Sequence, residues 1–254
     1  MTGTSSTESL ELAQIVFYAT AFIPALFCFV KHRRHGLTGW LYVMAMCGLR
    51  LVGNGMAYHS LSTIGEANLT AQIISGIGLS PILLAALGIL HEANHSIQER
   101  LPNILQGAGL LVPHLSILAG IALSAASKGK SYLLEAGMVV LALGWLMIVS
   151  FTAISLRSDS DSLRIDHEKK LLLAVTVALP LLGVRVIYSL AVAFADGRAS
   201  GGSLAVQVIF GTIPEFLVVI NYISAGIVTR NLAQECAGFT KPEPLQQDLM
   251  ETFR

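Results

Sequence analysis

Seven apolar runs fix the class of this chain. They fall at about Leu12–Val30, Trp40–Tyr58, Ala71–Leu90, Ile104–Ala125, Leu133–Leu156, Leu171–Phe194 and Leu204–Thr229. About 20 helical residues cross the ~30 Å hydrocarbon core of a bilayer, and each run supplies about that many. Hydrocarbon offers no partner to backbone N–H and C=O groups, so each run is read as a helix that satisfies its own. The expected fold is an all-α membrane protein. A seven-transmembrane-helix bundle spans residues 1–230, and a flexible polar tail follows at 231–254. The composition agrees: 54% of the residues are apolar and 13% are charged, about half the charge of a soluble domain. The formal net charge of zero gives no pull toward nucleic acid. Cys28, Cys47 and Cys236 are too few and too scattered for a disulfide framework. No basic stretch precedes the first run, so it reads as a retained helix rather than a cleaved signal.

Basic residues set the expected orientation. Lys31, Arg33, Arg34, Arg100, Arg157, Arg164, Lys169, Lys170, Arg230, Lys241 and Arg254 fall on one side, and Lys128, Lys130 and Arg198 on the other. The first side is assigned to the cytosol. The N-terminus is then lumenal or outside, the C-terminus is cytosolic, and the membrane is the endoplasmic reticulum or the plasma membrane. Asn68-Leu-Thr70 becomes a lumenal glycosylation acceptor, and Asn94-His-Ser96 a cytosolic sequon left unmodified. His32 and His35, with the arginines between them, read as a basic patch for lipid headgroups, and Trp40 as an interface anchor. Asp159, Asp161, Asp166 and Glu168 alternate with basic residues as a solvated loop. Gly76, Gly78, Gly107 and Gly109 suggest close backbone approach of the third and fourth helices.

Chemistry concentrates near mid-depth. Pro214 and Glu215 lie inside the last run, where an ionisable group normally faces the protein interior with a partner. Arg50 in the second run, His114 in the fourth and Arg185 in the sixth fall at a similar level. Asn54 is one turn from Arg50, Tyr188 three residues from Arg185, and Asn221 and Tyr222 follow Glu215 on its helix. The expected site is a polar pocket under an apolar vestibule for an isoprenoid- or lipid-like molecule with one polar end. Glu215 would protonate or anchor it, and Arg50, Arg185 and His114 would orient it. Asn54, Tyr188, Asn221 and Tyr222 are the candidate substrate contacts. Two cations against one carboxylate leave positive charge for an anionic or carbonyl oxygen. No cofactor is expected; the partners are the bilayer and a hydrophobic small molecule. The same residues suit a transporter or receptor-like binding site, or a salt bridge that merely clamps helices in a structural partner.

His91-Glu92-Ala-Asn-His95 matches the zinc-hydrolase spacing H-E-x-x-H, with two histidines on one helical face and a glutamate to activate water. The motif lies at a helix end, with Arg100 and Pro102 close behind and no third ligand nearby. A helix end without metal is the expectation. The last run lacks the lysine of a retinal Schiff base, and the Asp-Arg-Tyr signature of the large receptor class is absent.

Arg34-His-Gly36 with Gly39-Trp40, Leu49-Arg-Leu-Val-Gly-Asn54, Gly78-Leu-Ser-Pro-Ile-Leu-Leu84 and Arg185-Val-Ile-Tyr-Ser189 resemble segments of small fungal seven-helix membrane proteins of undefined function. The resemblance covers most of the bundle. It implies an association with secondary-metabolism genes, among whose products compact membrane proteins of similar size are terpene cyclases. Those cyclases use a pair of acidic residues. Here Glu215 is deep, and Glu135 lies near the lumenal end of the fifth run. The concrete expectation is a cofactor-independent cyclase or isomerase.

Overall fold

The computed structural model of the chain describes residues 2–32, 36–63, 79–98, 102, 107–127, 131–158, 164–196 and 203–230. The described residues form helices and no strand. In chain order these are α1 (Thr2–Lys31), α2 (Leu37–Thr63), α3 (Leu79–Ala93), α4 (Gly107–Ala126), α5 (Ser131–Ser158), α6 (Asp166–Asp196) and α7 (Leu204–Val228). α1, α4, α5, α6 and α7 are long and apolar enough to cross a membrane. α2 is as long, but Arg50, Asn54 and four glycines dilute its apolar character. The described part of α3 has 15 residues. The expected start of that helix at Ala71, Asn68 with its sequon, and the tail at 231–254 lie outside the described residues.

α3 is the hub. Every residue from Leu79 to Leu90 is buried, so the described part of this helix has no lipid-facing stripe. It packs chiefly on α2 and α6, and also on α4 and α5. Around it α2, α1, α7, α6, α5 and α4 follow one another, each packed on the next. α2 and α4 make no extended contact among the described residues, so the ring is open there and α3 floors the gap. The outer faces of the ring carry exposed apolar side chains such as Ile23, Leu115, Leu173 and Ile187.

Gly76 and Gly78 lie outside the described residues, among which the closest backbone approaches fall at Gly39, Gly88, Gly120 and Gly137. A Cβ at Gly39 would lie 2.8 Å from the Ile89 backbone nitrogen, and one at Gly88 would meet the Gly39 backbone, so α2 and α3 touch main chain to main chain. Gly120 and Gly137 join α4 to α5 in the same way.

α7 is not a plain α-helix. Gln207–Thr212 is a π-helical segment in which the Ile213 N–H reaches back to the Val208 carbonyl. Pro214 follows at once, and its ring would clash with the carbonyl four residues earlier in a regular helix. The wider turn takes up that clash and delivers Glu215 into the bundle.

Candidate functional site

Glu215 is 3% exposed and stands where α1, α2, α6 and α7 meet. Arg50 of α2 grips it with both arms of the guanidinium: Nε donates to Oε1 at 2.6 Å and Nη2 to Oε2. Arg185 of α6 donates from Nε to Oε2 at 3.4 Å, and the Tyr18 hydroxyl of α1 donates to Oε1. Arg185 is itself held by the Ser189 hydroxyl at 2.6 Å and lies 5.6 Å from the Tyr188 ring centre. Asn54 donates to Gln14 at 3.2 Å. Phe216 stacks on Phe17 with centroids 3.7 Å apart, which fixes the α1–α7 side of the cluster. Four donors converge on the two Glu215 oxygens. In this geometry the carboxylate is an acceptor on every side, the state of an anchor rather than of an acid with a proton to give.

The cluster also holds a second acidic side chain. Glu11 of α1 acts electrostatically on Arg50, and its buried Oε2 has no hydrogen-bond partner among the described residues. Glu11 thus adds a second carboxyl group on the Arg50 side of the cluster.

His114 is not part of this cluster. Its Nε2 is 3.1 Å from the Tyr42 hydroxyl, and both line a cavity of about 260 Å³ in the gap between α2 and α4. Leu84, Leu87, Gly88 and His91 of α3 form its floor, Thr38 and Tyr42 one wall, and Leu110, Leu111 and His114 the other. Tyr42 precedes Arg50 by eight residues, about 12 Å along the helix axis. The expected single pocket is thus two separate places. Asn221 donates to the Ala174 carbonyl at 2.7 Å and ties α7 to α6. Tyr222 is fully buried, and its hydroxyl has no hydrogen-bond partner among the described residues.

The His-Glu-x-x-His motif is dispersed. Glu92 is 1% exposed; its Oε1 is 2.6 Å from His32 Nδ1, and its Oε2 accepts from Trp40 Nε1 at 2.8 Å. The other ring nitrogen of His32 lies 2.9 Å from the Gly226 carbonyl. Both nitrogens face acceptors, so both carry protons and His32 is an imidazolium. Burial pulls its pKa down, but Glu92 and the Gly226 carbonyl outweigh that, and the net shift is upward. His91 turns to the cavity and His95 is exposed. Among the described residues no three metal-ligating side chains converge. His32 and Trp40 are therefore not a headgroup patch and an interface anchor; they are buried against Glu92, whose charge needed partners. Glu168 and Arg164 depart from the expected solvated loop in the same way. Glu168 accepts the Ser96 N–H at 3.0 Å, and Arg164 donates to Asn94 Oδ1 at 3.0 Å and to the Ser155 hydroxyl at 3.1 Å. Asn94 is buried in that network.

Residues 5–232 match a family described as Domain of unknown function (DUF7702). The chain belongs to this family. The DUF7702 domain takes in α1 to α7, and with them both the charge cluster and the cavity. Comparison with curated proteins and with solved structures gives no match. Within the DUF7702 domain the residues missed in the sequence are Glu11, Gln14 and Tyr18, together with Tyr42. The first three repeat at intervals of three and four, a polar stripe on α1 that helical spacing makes visible.

Proposed function

We propose that this DUF7702 protein is a seven-span membrane protein, N-terminus outside and C-terminus cytosolic, that binds a hydrophobic, lipid- or isoprenoid-like molecule in the cleft between α2 and α4. The cleft itself carries the reading. At about 260 Å³ it approaches the ~300–1,000 Å³ range of small-molecule sites, and it combines apolar walls with a few polar groups. It lies where the outer ring of helices is open, beside the exposed apolar side chains of Leu41, Leu111 and Leu115, so a ligand enters from the bilayer. The Glu215 carboxylate, held by donors from three other helices, ties the bundle together. The basic loops support the orientation, and a C-terminal tag accessible only from the lumen would reverse it. The binding test uses the full chain in lipid nanodiscs. Dodecyl amphiphiles should raise the melting temperature of the native protein and leave Leu84→Trp, whose side chain fills the cleft, unmoved. Equal behaviour of the two proteins would refute the site.

A second reading, cofactor-independent cyclisation or isomerisation of an isoprenoid-like substrate, is favoured by Glu11. Glu215 is committed to four donors, whereas Glu11 keeps a carboxyl oxygen unengaged beside Arg50. Glu11 then supplies the proton. Glu11→Gln should remain folded and lose turnover of isoprenoids in membranes; turnover that survives this change removes the reading.

A further inference from the structure

The cleft between α2 and α4 has a lining that selects among polar ends. Among the described residues no Asp, Glu, Lys or Arg lines it. Its polar groups are the Thr38 and Tyr42 hydroxyls and the His91 and His114 rings. A hydroxyl donates one hydrogen bond and accepts others, and a neutral imidazole donates one and accepts one. Every polar group here is thus both donor and acceptor, and the complementary ligand group is one with the same dual character. With the Tyr42 hydroxyl donating to His114 Nε2, the phenolic oxygen retains lone pairs toward the cleft. A ligand O–H can donate to that oxygen while accepting from Thr38 or from the His91 ring.

An ionic head meets the opposite situation. The carboxylate next in sequence to His91, Glu92, is spent on His32 and Trp40. Among the described residues of this largely apolar cleft a quaternary ammonium meets no anion, and a carboxylate meets no permanent cation. The size of the cleft also bears on the ligand. At about 260 Å³ the cleft is below the ~300–1,000 Å³ of sites that enclose a whole small molecule, and it lies where α2 and α4 part. A long tail can run on from it along the exposed Leu111 and Leu115 face of α4.

We propose that the cleft binds the uncharged hydroxyl end of a long-chain or isoprenoid alcohol, with its tail left in the bilayer. This rests on the reading of the cleft as a ligand site.

The test uses the full chain in zwitterionic nanodiscs at about pH 8, where ordinary imidazoles are neutral. A diazirine-tagged 1-dodecanol is photolysed, and the labelled peptides are mapped by mass spectrometry. Untagged 1-dodecanol, dodecanoate and dodecyltrimethylammonium then compete. Labelling should fall on the peptides of α2, α3 and α4 that line the cleft. 1-Dodecanol should compete at least ~10-fold better than either ion. Tyr42→Phe and His114→Gln should each weaken it about fivefold, the share of one hydrogen bond, and Leu84→Trp should abolish the labelling. Equal competition by all three probes, still sensitive to Leu84→Trp, overturns the hydroxyl assignment and leaves the ligand site standing. Preference for dodecanoate overturns it in favour of an imidazolium–carboxylate site. Labelling that ignores Leu84→Trp overturns both.

Discussion

The two polar regions of this bundle differ in one respect that decides their roles. Around Glu215 donors from three other helices converge on one carboxylate, and aromatic rings pack the flank. Between α2 and α4 a few uncharged polar groups border empty space. In an apolar surrounding, charges that pair with one another tie helices together, whereas polar groups beside a void leave room for a ligand. A charged residue at mid-depth is thus a weaker pointer to a ligand than a modest histidine with room in front of it.

The comparison fails first if the charge cluster can be dismantled cheaply. Glu215→Ala leaves Arg50 and Arg185 buried without their carboxylate, a loss of about 3–5 kcal/mol when one member of a buried pair goes. It should be the most damaging single change discussed here when thermal unfolding is followed in nanodiscs. Glu215→Gln keeps an acceptor oxygen and should fall between native and Ala. A melting temperature unchanged in Glu215→Ala would mean that the cluster joins nothing.

The His32–Glu92 pair sharpens the same contrast through pH. His32 has its folded pKa raised, so its contribution is complete below the ordinary imidazole value of about 6.5 and is lost as pH rises through the folded value. Charged hydrogen bonds of this kind contribute about 1.5–3 kcal/mol. The melting temperature should therefore decline from slightly acid toward alkaline pH, and His32→Gln should flatten that slope. A native protein that grows more stable over the same interval would contradict the imidazolium assignment.

Next in size is the α2–α3 contact. Gly88→Ala places a methyl group against the Gly39 backbone, and overpacking of this kind destabilises by about 1–3 kcal/mol. The smallest effect on stability belongs to the cleft. Tyr42→Phe removes a hydroxyl at a half-open site and should move the melting temperature least, while altering ligand competition. Stability loss in Tyr42→Phe as large as in Glu215→Ala would erase the distinction between the two regions.

Much of the charge cluster was legible in the sequence because depth follows from residue count at a fixed rise. Arg50, Arg185 and Glu215 were placed at one level, and they do meet. The same arithmetic set His114 among them, and the packing separates it: α4 stands across the gap from α2 and reaches α7 nowhere in an extended contact among the described residues. Level along the membrane normal says nothing about azimuth. α3 was one apolar run among seven, because burial in protein and exposure to lipid select the same side chains. Only the uninterrupted burial of Leu79–Leu90 marks it as the centre. Glu11 fell just before the expected start of the first helix at Leu12, and the helix in fact begins nearly three turns earlier. His32 and Trp40 looked like surface residues because their shared partner, Glu92, is distant in the chain.

The π-helical segment of α7 gives the molecule one residue more than a regular helix needs between Gln207 and Thr212. Below it, Glu215 is pinned by two arginines and a tyrosine, so that half of the helix is held in azimuth. One residue more turns the backbone on the Leu204 side by about 100° relative to a regular helix. The faces of the two ends of α7 are thereby offset, and the end after Pro214 keeps the register that Glu215 fixes.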